Sequence, residues 1–304
     1  MEYVLMFQHG WQILRRYKVL WLLGALAALA GQDALFNLRG AIRLQPFVEA
    51  IVNLPVSIAN LLRAITTDVG LLALLIVIGA GVLLTFVGVL INAIIINLTQ
   101  AAERGAAVSF KAAWQASLLR AWPLLIMRLL FNVPSVILSL LAVFAAMQIV
   151  EPTANSVGYT QLLQALQIVG LLPIFLIAGA VIGVLLGAIG IGADRSCVLD
   201  ATGVLDSLRQ GWTFLRREVV HFIYLAGMLL GTLAMLFFII ACPISLLLTD
   251  DIANLMQAAP STDFLSALLG TPVGWLVGIL LVIAYGAYCA FATIVWTLAY
   301  RQYA

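Results

Sequence analysis

Gly211-Trp212-Thr213-Phe214-Leu215-Arg216-Arg217 decides how this chain is read, because Gly10-Trp11-Gln12-Ile13-Leu14-Arg15-Arg16 repeats it near the start. A weaker copy surrounds Ala113-Trp114. The apolar positions run Val4, Phe7, Trp11, Leu14 in the first copy and Leu205, Leu208, Trp212, Leu215 in the third. In the second they run Ala107, Phe110, Trp114 and fade at Ser117. Spacings of three, four and three draw one stripe along a helix. The basic residues beside it belong at the water line, a boundary that also suits the amphipathic ring of tryptophan. Each copy is followed by a long apolar run, so the motif marks an entry point into a membrane.

Composition agrees. Of 304 residues, 64% are hydrophobic and 9% charged, and the mean hydropathy is +1.14. Soluble domains carry about 25% charged residues, so this chain has too few charges to cover a water-facing surface. A net charge of +2, scattered in short clusters, gives no nucleic-acid footprint. Cys197, Cys242 and Cys289 lie far apart and imply neither a disulfide framework nor a metal site.

Six spans are expected, over about residues 17–36, 71–98, 122–150, 166–193, 219–248 and 272–299. Arg15, Arg16 and Lys18 before a short apolar core ending Ala28-Leu29-Ala30 imitate a secretory signal. The tryptophan-bearing leader matches an interior stretch, however, which favours a retained first helix. Between the first two spans, Phe47, Ile51, Leu54, Ile58, Leu61 and Ile65 form one apolar stripe bent at Pro55. It reads equally as a helix on the outer leaflet or as one packed over the bundle end. Pro123 suits the first turn of the third span, and Pro134 predicts a kink within it. Lys and Arg concentrate in the N-terminus and in the second and fourth loops, while the fifth carries Asp250, Asp251 and Asp263. The positive-inside rule then places both termini in the cytoplasm.

Aligning the copies on tryptophan gives three repeats within one membrane domain, about 1–100, 101–198 and 199–304. Gly105 and Gly203 each precede their tryptophan by nine residues, and Ser109-Phe110-Lys111 matches Ser207-Leu208-Arg209. The expected fold is an all-α membrane protein of three parallel two-helix repeats, each preceded by a cytoplasmic amphipathic helix. Trp11, Arg15, Arg16, Trp114, Arg120, Trp212, Arg216 and Arg217 are its interfacial anchors. Gly179, Gly183 and Gly187, and Gly270, Gly274 and Gly278, recur at the spacing that lets helices approach closely in lipid.

Polar groups inside a span are the default functional suspects. Arg128 and Asn132 share a helix face, although Leu129 to Val150 could cross the bilayer without Arg128, which would then snorkel to the interface. Asn92 and Asn97 read as helix-to-helix hydrogen-bonding groups, and His9 and His221 as interfacial side chains. The chain contains no Gly-x-Ser-x-Gly elbow, His-Glu-x-x-His helix or phosphate-binding glycine loop, and no cofactor is implied.

In plan, three two-span repeats resemble the mitochondrial carriers. Their proline–acidic–basic signature is missing, since Pro134 is followed by Ser135-Val136-Ile137. The segment from Trp11 through Arg15, Arg16 and Lys18 to Leu20-Trp21-Leu22-Leu23-Gly24 resembles a family of uncharacterised bacterial six-span membrane proteins. The later glycine-to-tryptophan segments look like the membrane domain attached to some glycerophosphodiester phosphodiesterases, whose hydrolase domain has no counterpart here. The resemblance implies a protein of the bacterial cytoplasmic membrane and carries no activity. The expected function is non-catalytic, as a scaffold or accessory subunit. Its partners would be the lipid bilayer and other membrane proteins or further copies, met through glycine-rich faces. A small transporter or channel with a central cavity is the alternative.

Overall fold

A computed structural model describes residues 2–30, 68–105, 109–150, 181–247 and 272–303. They form eight helices, and no strand occurs among the described residues. In chain order these are α1 (Glu2–Arg16), α2 (Val19–Leu29), α3 (Asp68–Glu103) and α4 (Phe110–Val150). They continue with α5 (Val181–Leu199), α6 (Val204–Arg217), α7 (Val219–Leu247) and α8 (Pro272–Tyr303). Four stretches are long and apolar enough to cross a membrane: Gly79–Glu103, Val181–Leu199, Val219–Ile240 and Gly278–Tyr303. The expected second, fifth and sixth spans therefore coincide with α3, α7 and α8. The fourth continues past its expected end at 193, to Leu199. For the first, the described helix is the short apolar α2, and its expected end at 36 lies outside the described residues. The stripe around Pro55, Gly179, Gly270 and the expected loops over 151–165 and 249–271 also fall outside, as does the side chain of Cys242.

The expected third span lies within α4, but Pro123 does not open it. The helix begins at Phe110, so Pro123 lies in its interior, and the amphipathic Trp114 segment and the apolar run are one helix. In the other two copies the chain breaks. Arg15 and Arg16 close α1, where positive charge suits a helix C-terminus. Trp21 Nε1 then donates to the Leu14 carbonyl at 3.0 Å, satisfying one of the carbonyls a helix end leaves open. Arg216 and Arg217 close α6 in the same way, and Glu218 separates it from α7.

The chain divides into two compact units. The first contains Met1–Leu35, Leu90–Ser117 and Arg216–Ala304. Within it α8 packs against α1, α2 and α7. Helices α2 and α8 touch backbone to backbone, since a Cβ on Gly24 would lie 2.0 Å from the Gly286 carbonyl oxygen. Only glycine permits that approach. Tyr288 donates its hydroxyl to the Leu229 carbonyl of α7 at 3.1 Å, and Trp296 stacks on Phe222 with ring centroids 4.6 Å apart.

The second unit contains Phe36–Val89 and Leu118–Leu215. Here α6 crosses α5 at Gly211, where a Cβ would lie 2.5 Å from the Ile189 carbonyl oxygen. Gly190 of α5 faces the ring of Phe131 on α4.

Candidate functional site

The tryptophan segments and the ion pair of the second unit are the two places where sequence expectation and geometry meet. The apolar stripe of each segment divides into two faces. In α1, Leu14 is buried with Met6, Gly10 and Ile13, while Val4 and Trp11 are exposed. In α6, Leu215 is buried with Ser207, Gly211 and Phe214, while Leu205 and Trp212 are exposed. The same four positions relative to tryptophan are thus buried in both copies. In the second copy the residue before tryptophan, Ala113, and the third after it, Ser117, are likewise buried. Trp11, Trp114 and Trp212 are 50%, 39% and 50% exposed. The expectation that tryptophan lies on one stripe with the buried leucines is therefore corrected. A small residue makes the helix contact, and the larger ring lies beside it, turned outward.

Each segment rests on a later-numbered part of a span. Gly10 of α1 faces Val295 of α8 at 3.1 Å, measured from its would-be Cβ. Ser117 of α4 accepts a hydrogen bond from Asn97 Nδ2 of α3 at 2.9 Å. Gly211 of α6 lies on Ile189 and Ala193 of α5. Arg15, Arg16, Arg216 and Arg217 are exposed, and Arg120 is half-buried. Asn92 lies within 3.4 Å of Thr293 Oγ1, which donates to its side-chain oxygen.

Arg128 points to a neighbouring helix. Its Nη2 donates to Asp194 Oδ2 of α5 at 2.7 Å, and the two side chains are 23% and 4% exposed. Next to Asp194, Arg195 is buried and donates to the Ile191 carbonyl at 2.6 Å. Ser196 donates to Gln210 Oε1 at 2.6 Å and shares a hydrogen bond with Thr202 at 2.8 Å. Thr202 in turn pairs with Ser207 at 2.6 Å. A run of polar side chains therefore ties the end of α5 to α6. Ala201 makes the turn with φ +59°, a left-handed conformation that costs an L-residue energy. Asn132, expected beside Arg128, lies on α4 where side chains fall outside the described residues.

Asp194 and Arg195 were not among the sequence candidates. Their charges end the apolar run, which makes them look like the start of a loop. The available signal was Arg128 itself, because a cation within an apolar helix calls for an anion. Among the described residues, no cluster of His, Cys, Asp and Glu could hold a metal ion. Comparisons with known protein families, with characterised proteins and with solved structures gave no match.

Proposed function

We propose that the chain is a six-span protein of the bacterial cytoplasmic membrane, built of three parallel repeats with both termini in the cytoplasm. It works without catalysis, as a scaffold or accessory subunit, through lateral contacts between helices. The likeness to the bacterial six-span family belongs to this reading. The shared burial of the residue before each tryptophan and the third after it supports the repeats.

One observation carries the lateral-contact reading. Helix α7 holds Gly227-Met228-Leu229-Leu230-Gly231, and among the described residues nothing lies within 4 Å of a Cβ at either glycine. Glycine lies where helices meet at Gly24, Gly211 and Gly286, while Gly79, Gly81, Gly183 and Gly278, like the α7 pair, are open among the described residues. Small residues four apart allow close helix approach in lipid, where van der Waals packing replaces the hydrophobic effect as the driving force. The test is subunit counting by single-molecule photobleaching in native-composition bilayers, alongside cross-linking from α7. Association that disappears in G227I/G231I supports the reading, whereas a wild-type monomer without a cross-linked neighbour overturns it.

A second reading, a small transporter, is favoured by the Arg128–Asp194 pair, because charges at membrane depth commonly mark solute or proton paths. Solute flux into proteoliposomes that stops in R128Q would move the assignment there.

A further inference from the structure

We propose that the outward face of α1 and that of α6 are each, independently, a docking surface for anionic phospholipid headgroups. The inference rests on these helices lying at a membrane surface, and not on the lateral contacts of α7.

Each of these helices has an inner face already filled by its neighbour, Gly10 against α8 and Gly211 and Phe214 against α5, with Leu14 and Leu215 buried beside them. Each also has a second, exposed apolar face beside that contact, Val4 and Trp11 on α1 and Leu205 and Trp212 on α6; the Trp11 ring also meets Phe291 of α8 edge-on, with centroids 6.3 Å apart. Val4 is 54% exposed and Leu205 78%. A helix with one apolar face needs a single partner; these have two, and the outer one suits the headgroup–acyl boundary.

Charge selects the kind of lipid. The Arg pairs follow tryptophan by one helical turn in both copies, and all four guanidinium groups are exposed. Arg15, Arg16 and Arg216 have no ion pair among the described residues, and Arg217 lies 3.8 Å from Glu218. Glu218 also lies 3.0 Å from His221 Nδ1, so its carboxylate faces two neighbours. The acidic residues of the helices themselves, Glu2 and Asp206, lie at the opposite ends from the arginines. Lys18, exposed at the corner after α1, adds to the positive cluster. Guanidinium binds phosphate oxygens in a two-point geometry. A phosphate-bearing headgroup with net negative charge satisfies these cations, whereas a zwitterionic one brings its own ammonium to compete.

The test uses the full-length protein in phosphatidylcholine bilayers with trace spin-labelled phosphatidylglycerol or phosphatidylcholine, reading the motionally restricted lipid by EPR. Wild type should hold phosphatidylglycerol about fivefold or more over phosphatidylcholine at low salt. The preference should fall to near unity in about 1 M NaCl and in R15Q/R16Q/R216Q/R217Q, while the corresponding Lys variant keeps most of it. If the Gln variant fails to fold by circular dichroism, the salt titration and the Lys variant decide. Equal retention of both lipids by wild type overturns the proposal, as does a preference that survives high salt. Displacement of phosphatidylglycerol by inorganic phosphate, beyond that by chloride at matched ionic strength, would also overturn it by identifying a soluble-anion site.

Discussion

The two compact units use the same devices against different partners. In the second, Arg128 meets an almost wholly buried Asp194, and Gly211 lies against backbone atoms of α5. In the first, the ion pair between Arg301 and Glu103 leaves side chains 32% and 29% exposed. The equivalent glycine, Gly10, faces the ends of the Val295 and Phe291 side chains. A contact with backbone cannot yield unless a helix moves. A half-exposed ion pair can be replaced by water, and a contact with a methyl group can be relieved by a rotated side chain. The same seven-residue string therefore carries different energetic weight in its two strong copies.

The largest expected effect separates the ion pairs. R128M removes the guanidinium that Arg128 places on buried Asp194 and should cost about 4 kcal/mol, lowering the apparent melting temperature in detergent by many degrees. R128M/D194L should recover part of that loss, because two apolar groups replace both charges. R301M should cost under about 1 kcal/mol, as exposed pairs do. Equal losses in the two single variants would break the comparison.

The glycines come next. In G211A the new methyl meets a carbonyl oxygen and the Ala193 nitrogen, so a helix must shift, at about 3 kcal/mol. In G10A it meets a Val295 methyl at 3.1 Å, and a small side-chain adjustment should hold the loss below about 1 kcal/mol. Parallel thermal melts of the two proteins check this, and a G10A protein as unstable as G211A would remove the difference between side-chain and backbone contact.

Two smaller effects sharpen the picture at single residues. A201G relieves the left-handed backbone between α5 and α6 and should stabilise by about 0.5–1 kcal/mol, after allowing for the added freedom of the unfolded chain. A lower melting temperature in A201G would show that the turn is not strained. N97A removes the hydrogen bond to Ser117 and should cost about 0.6 kcal/mol, the usual value for such bonds between membrane helices. A loss beyond about 2 kcal/mol would mean that this contact yields as little as the one at Gly211.

Much of this architecture was legible because a membrane enforces simple rules. Apolar run length located α3, α7 and α8, and the recurring Gly-Trp and Arg pair located α1 and α6; the breaks at Tyr17 and Glu218 came from the structure. Which face of those helices turns inward was not legible. Lipid and protein interior are both apolar, so hydrophobicity alone cannot tell Leu14, which is buried, from Leu5, which is exposed. Residue size can, and Gly10, Ala113 and Gly211 mark the contact in each copy. Arg128 was visible as a candidate, but its partner lies 66 residues away. Sequence gives no means of pairing two helices at that separation. Asp194 was hidden for a second reason, since a charge that ends an apolar run resembles a loop until its counter-ion is known.

The unbroken α4 has a mechanical consequence. Its 41 residues, at 1.5 Å each, make a rod of about 62 Å, roughly twice the thickness of a bilayer's hydrocarbon core. Copies one and three break between the tryptophan segment and the helix that follows, so each amphipathic helix there takes its own direction. The second copy has no break. Trp114 and Arg128 ride on one continuous helix, so the register of the tryptophan segment also fixes the register of the salt link to Asp194, as teeth cut on one shaft share a setting.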